Sequence, residues 1–499
     1  MKQITISFLL FFSISIEAQI RYDYNWLSGY NTINDTTSKG NLIDFNIQPA
    51  STELLEIPLK IFLSNATISD NNGDLLFYTN GCAIANKNHE IMPNSEGLNP
   101  GAVSNSNCEY GYLGSQSCLI LPIPESASKY YLFHKAFTYD PNLTIFPDKL
   151  YYTLIDMSLD EGLGEVVDKN VILRDDTIRS GEMTAIKHSN GEDWWLINGS
   201  YDSDEFFTFL ITADSIEGPF FQNIGFVNTR AGSGSGQVVF SPDGTKFARI
   251  NKDDQLYLYD FDRETGLFSN FEQIIVDDTV PIGGCAISSN SQFLYISTGN
   301  KLFQFDLEAT DIKASQVLID EYDGWGDPFP ANFYQMQLAP DCRIFMNSTN
   351  GVAVLHVINQ PNEKGVDCDF QQHSFPLPSY NQASLPHFPY YRMDTDYPIC
   401  DSSLVVSSTE VIQRPQKKEI QVYPNPASDQ IMVDFGQSIL ENGQFKIYNI
   451  MGQEMVSYAI DNGSERQVLS LEQIPNGIYI LKLKESNLPP QTITIKVVK

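Results

Sequence analysis

Six histidines, seven cysteines, four tryptophans and 62 carboxylates are the side chains with which this 499-residue chain could do chemistry. Gripping zinc on a helix takes two histidines one turn apart, as in His-Glu-x-x-His, so that both imidazoles meet one ion. His89, His134, His188, His356, His373 and His387 never stand at that spacing. A serine raised on a strained strand-to-helix turn reads Gly-x-Ser-x-Gly. Gly232-Ser-Gly-Ser-Gly236 comes near, but it puts glycine at the centre and runs into a strand, which also weighs against a phosphate cradle. It reads as a loop. Paired carboxylates could hydrolyse a glycosidic bond, yet Asp and Glu are so numerous that no pair stands out. The sequence names no catalytic residue, and the expectation leans away from an enzyme.

Binding chemistry is less closed. Asp202-Ser-Asp-Glu205, Asp253-Asp254 and Asp277-Asp278 gather oxygen ligands, but none has the regular loop spacing of a dedicated calcium site. Neither a metal site nor a cofactor is expected, a structural calcium ion being the one alternative. Ser69-Asp-Asn-Asn-Gly73 meets the sialidase Asp-box only in part. Aromatic rings can stack on sugars or hold peptide. Trp194-Trp195 falls within a strand, so Trp325, in Tyr322-Asp-Gly-Trp-Gly326, is the candidate for an exposed ligand face. The ligand itself, whether glycan, peptide or protein, is unknown.

The elements that position these residues are strands. Aromatic residues make up 12% of the chain and charged residues 19%, with 32 glycines and 26 prolines. That mixture favours extended segments and many turns. One unit recurs: a β-rich run, a tight polar turn, then two more apolar runs. Its turns hold Gly73, Lys129, Gly191, Gly244, Ser291 and Cys342, at spacings of 56, 62, 53, 47 and 51 residues. These lie at or above the roughly 40–50-residue period of propeller blades. The fold expected is all-β: a seven-bladed β-propeller over residues 22–400, with six or eight blades as alternatives, followed by a small Ig-like β-sandwich. The seventh blade would pair 26–45 with 385–393, which removes free sheet edges.

The ends carry processing signals. Lys2, an apolar run over 4–16 and the small Ala18 read as a signal peptide over 1–18, cut between Ala18 and Gln19. That run is shorter than the ~20 residues that span a bilayer, and no later segment is long and apolar enough to cross. In such a compartment cysteines bridge. Cys108 with Cys118, and Cys342 with Cys368, are the candidate pairs, each falling within one hairpin unit, and an odd thiol is left over. Connectivity stays open at this point.

Formal net charge is −31. From Lys418 onward there are 7 basic and 9 acidic residues, so nearly all of the excess lies upstream. A body this acidic repels phosphate backbones and anionic membranes, which excludes nucleic acid as a partner.

Three resemblances follow from these motifs. Phe240-Ser-Pro-Asp-Gly-Thr-Lys-Phe-Ala248 resembles the repeats of many bacterial propellers. Ile68-Ser-Asp-Asn-Asn-Gly-Asp-Leu-Leu-Phe-Tyr-Thr-Asn-Gly81, with Gly114-Ser-Gln-Ser-Cys-Leu-Ile-Leu-Pro122, is similar to the N-terminal propeller of large proteins exported by type IX-secreting bacteria. After a polar linker over 401–418, residues 419–499 resemble the type A sorting domain of that system. Tyr423-Pro424-Asn425-Pro426 opens it, Gly452 closes its middle turn, Asn476-Gly477-Ile-Tyr479 carries its Asn-Gly-x-Tyr element, and Lys496 and Lys499 end it. The resemblance implies export through the type IX translocon, removal of the domain by a surface sortase, and release or attachment to lipopolysaccharide. The product would be a secreted or cell-surface binding and adhesion module, the alternative being a secreted hydrolase of polysaccharide or peptide.

Overall fold

The computed structural model describes residues 20–29, 38–139, 144–227, 236–251, 255–276, 283–395, 398–400, 421–434, 444–449, 453–460, 466–485 and 488–499. The chain divides into two compact units between Val406 and Ser407. The proposed leader cleavage at Ala18 and Gln19, the 401–418 linker, Gly452, the Gly232 loop and the acidic pairs at 253–254 and 277–278 lie outside the described residues.

The described residues of the first unit form seven antiparallel sheets in chain order, the first two of three strands and the rest of four. In each of the last six sheets the first hairpin is a short polar turn. Gly73, Gly191, Gly244, Ser291 and Cys342 all hold positive φ at that turn, between 64° and 91°. Glu125 takes the same conformation in the third sheet, four residues before the expected Lys129. In the fifth sheet the Gly244 amide donates to the Ser241 carbonyl at 2.8 Å, closing the bend. A Cβ at Gly244 would lie 2.4 Å from the Arg263 side chain, so a larger residue there would have to displace it, whereas Ser291 and Cys342 take the same φ in their own turns.

First strands of neighbouring sheets pack together: Asn25–Ser28 on Ala66–Ser69, and that on Cys118–Pro122. Likewise Thr184–Lys187, Gly236–Phe240, Gly284–Ile287 and Met336–Leu338 follow one another. The ring closes where the last strand, Phe370–Asn381, packs on Ser38–Asp44 and Ser51–Ile57 of the first sheet. Trp26 and Phe45 meet Phe345 with centroids 5.6 and 5.7 Å apart, and Asn41 exchanges two hydrogen bonds with the Ser379 backbone. This arrangement is propeller-like.

Two expectations need correction. The first sheet is completed by Ser51–Ile57, and 385–393 forms no strand. Pro386 and Pro389 lack the amide that a ladder needs. The bridges are Cys82–Cys108 and Cys342–Cys400, while Cys118, Cys285 and Cys368 are buried free thiols. Cys118 opens an inner strand and Cys368 packs in the core beside Tyr295. Cys108 ends the helix Ala102–Asn107, against the turn that holds Cys82.

The second unit has two sheets. One holds Gln421–Tyr423, Gln430–Asp434 and Arg466–Ser470; the other holds Glu454–Ala459, Gln444–Asn449, Gly477–Glu485 and Leu488–Val497. Ile431, Val433 and Leu469 of one face meet Phe445, Ile447, Leu481 and Ile495 of the other in one core. That is a small sandwich.

Candidate functional site

Propellers place ligands on the axis or on a face, so the axis comes first. The expected final strand lies there instead. His387, Phe388, Pro389 and Tyr390 stand against Thr184–Ala185, Gln237–Phe240, Ala286 and Met336–Leu338, all from or beside inner strands. The space left among them is about 10 Å³, enough for about one water. His387 lies within 3.0 and 3.1 Å of the Gln116 amide nitrogen and 3.1 Å from the Thr184 hydroxyl. Tyr391 donates to the Ile120 carbonyl at 2.8 Å. The segment is a plug.

Two glutamines act as substitute backbone across the axis. Gln116 accepts from the Val238 amide and donates to the Val238 carbonyl, both at 2.9 Å. Gln237 accepts from the amides of Cys285 and Met336 at 3.0 Å each and donates to the Met336 carbonyl. Gly284 permits this approach, since a Cβ there would sit 2.4 Å from the Tyr334 carbonyl oxygen.

The plug is held on its C-terminal side. Arg392 makes a buried two-pronged pair with Asp23 at 2.5 and 2.9 Å and donates to the Ile20 carbonyl, tying the plug to the start of the first unit. Cys400 is bridged to Cys342 in the seventh sheet.

The charged groups near the axis are occupied. Glu182, 1% exposed, takes Arg249 at 2.6 Å and Arg179 at 3.5 Å. Burial pushes Arg179 down to about 10, with Arg249 adding to the shift and Glu182 opposing it. Lys135 donates to the Arg179 and Ser180 carbonyls at 2.9 and 2.8 Å; burial lowers it to about 7, against the pull of Glu182. Sequence reasoning missed Gln116, Gln237, Glu182 and the plug. Only the two prolines flanking His387 and Phe388 signalled it.

Trp325 does not stand free. It is half-buried and stacks on His373 with centroids 4.6 Å apart. His373 is 3.0 Å from Asp323, whose other oxygen accepts from the Trp325 amide at 2.8 Å. Burial alone would raise the Asp323 carboxyl, but these hydrogen bonds hold it below its usual value. Phe329, 55% exposed, is the barer ring of that loop. Within Asp202–Glu205, Asp204 accepts from Asn223, and Glu205 from Ser200 and Arg174. Among the described residues no group of three or more His, Cys, Asp or Glu could hold a metal ion.

In the second unit the dispersed sorting motifs converge. Asn425 accepts from the Lys496 amide at 2.8 Å and donates to the Thr494 carbonyl at 2.9 Å. Ala427 exchanges backbone bonds with Lys496 and Val498 at 2.9 and 2.8 Å. Asn476 accepts from the Lys499 amide at 2.7 Å, and the Lys499 ammonium reaches the Glu472 carbonyl. Tyr479 is buried beyond Gly477, its hydroxyl on the Pro475 carbonyl. Tyr423, Pro424, Pro426, Lys496 and Lys499 stay exposed, so opening and closing motifs share one surface.

The two units define an all-β, propeller-like body followed by a β-sandwich tail. A family model described as the secretion system C-terminal sorting domain matches residues 421–499. The tail is such a domain, and the chain is exported to the cell surface or the extracellular space. Among the described residues no helix is long and apolar enough to cross a membrane. No curated protein matches the chain.

Similar solved structures include a protein from Lactobacillus plantarum, 14% identical at a TM-score of 0.44, over 73% of this chain and 100% of that one. A putative 6-phosphogluconolactonase from Bacteroides uniformis is 11% identical at 0.43, over 73% and 98%. The periplasmic gluconolactonase of Pseudomonas aeruginosa is 13% identical at 0.39, over 73% and 99%. Likeness this distant carries no argument about activity.

Proposed function

We propose that the exported chain is a seven-bladed propeller working as a binding and adhesion module, and that the tail is a secretion signal removed after export. The plugged axis is the observation that supports this reading. A hydrolase acting through the channel would need a cavity with converging acid and base groups. The space beside His387 admits about one water, and Glu182 is committed to two arginines. The leader over 1–18 and placement on the cell surface belong to the same proposal.

The purified full-length chain is to be tested on glycan and peptide arrays and in pull-downs, beside a panel of polysaccharide, peptide and lactone substrates. Saturable binding without turnover is the expected result. Turnover that co-elutes with the protein and disappears on mutation of a propeller carboxylate overturns it.

A further inference from the structure

Away from the axis, a second concavity lies on the side of the first two sheets. A groove of about 850 Å³ runs between the end of strand Ser51–Ile57, the turn at 80–83 and the helix Ala102–Asn107. Its volume lies within the range of ligand sites, roughly 300–1,000 Å³.

The walls are fixed before any ligand arrives. Cys82–Cys108 staples the helix to the turn. Asn80 accepts from the Cys82 and Ala83 amides and donates to the Lys60 carbonyl at 2.9 Å, holding two walls together. Lys169 donates to the carbonyls of Asn94 and Glu96, fixing the rim. A preformed groove spares a ligand the cost of ordering it.

The floor and the rim differ in chemistry. Ile57, Leu59, Ala83 and the disulfide give an apolar floor, and exposed Ile91 adds apolar surface to the lining. Glu56, Glu96 and Glu109 line the rim, all exposed, and among the described residues none of them pairs with a basic side chain. The one lysine of the lining, Lys60, lies 5.6 Å from the exposed ring of Tyr110. Among the described residues no aromatic ring lines the groove itself, which leaves a sugar no stacking platform there. An extended peptide would bury apolar side chains on the floor and present cations to the rim.

We infer that this groove binds a short peptide segment alternating apolar with lysine or arginine side chains. The inference rests on the binding reading above and supplies its ligand class. Charge complementarity selects the occupant: the acidic body attracts such a segment from a distance and repels polyanions.

A positional-scanning hexapeptide library, fluorescently tagged, is to be titrated against the full-length chain by anisotropy at low and high salt. Lysine or arginine should be selected beside apolar residues, with affinity falling as salt rises. The combined E56Q, E96Q and E109Q substitutions should weaken binding about tenfold or more. Asn105→Trp, which fills the groove from an exposed helix position, should abolish it, both with unchanged thermal midpoints. Selection of acidic residues, affinity unmoved in both variants, or displacement by a chito-oligosaccharide overturns the groove assignment. No peptide binding beside a positive glycan array also rejects the groove but leaves the binding reading standing. Cleavage of a groove-bound peptide rejects the binding reading and leaves the groove.

Discussion

His134, His356 and His387 are buried, and burial holds each imidazole down to about 3, with His373 adding to the shift at His356. In the unfolded chain they take up protons near pH ~6.5. Between about 6.5 and 3 the unfolded state therefore binds more protons than the folded one, and stability falls as pH drops through that window. Denaturant midpoints measured from pH 7.5 downward should show this decline. Replacing His387 with glutamine should flatten the slope by about one proton, unless the imidazole is already charged in the fold. Lys135 acts in a different window. Its folded value of about 7 lies below its unfolded one, so stability rises with pH between those two values. The thiols give a second residue-scale outcome. Burial pushes Cys118 up to about 12 and Cys368 to about 11, and raises Cys285 as well. A thiol reagent should find none of the three in the native protein and all three once it is unfolded without reductant. A native signal would place one of them at the surface.

At the scale of elements, the plug is the feature most open to test. Asp23→Asn leaves Arg392 buried without its counter-charge and should destabilise the first unit by about 3–5 kcal/mol. Replacing Cys342 and Cys400 together by serine should cost about 2–4 kcal/mol, because that bridge spans 58 residues. Both are read from chemical denaturation, and limited proteolysis should then cut near 383–400 before any sheet is lost. Cleavage confined to other loops would show that the segment is held by something else.

What was legible at this scale follows from backbone chemistry. Six first hairpins could be found because each needs one residue at positive φ, and Gly73, Gly191 and Gly244 advertise it. Ser291 and Cys342 do not, and their turns are legible instead from the polar residues that lead into the apolar runs at Phe293 and Ile344. The strand Ser51–Ile57 was missed because exposed Thr52, Glu53 and Glu56 interrupt any apolar alternation. Residues 385–393 are as aromatic as a strand, and the two prolines that forbid one carry less weight in a pattern search than the rings do. One bridge joins a helix to a turn across 26 positions and the other joins the seventh sheet's hairpin to the plug across 58, contacts that hairpin spacing does not encode. Trp325 was found as a residue, but its partner His373 comes from a different sheet strand, 48 positions on.

For the whole molecule, charge and address are separated. The tail is near neutral, and its recognisable motifs meet on one exposed surface through Asn425 and Asn476. Removing 421–499 should keep the chain from the surface and medium fractions, as read by immunoblot of fractionated cells. Asn425→Ala removes two hydrogen bonds between the opening motif and the last strand and should cost the tail about 1 kcal/mol. A deleted chain that still reaches the medium would show that the address lies elsewhere.

The position of the plug also has a consequence in time. All seven sheets are synthesised before residues 383–400, and the ring joins its first residues to these last ones through Asp23 and Arg392. A chain interrupted earlier lacks the residues that fill the axis, and it also lacks every residue of the sorting domain. Translation order thus acts as a checkpoint: any chain that carries the export address has already made the segment that seals its own centre.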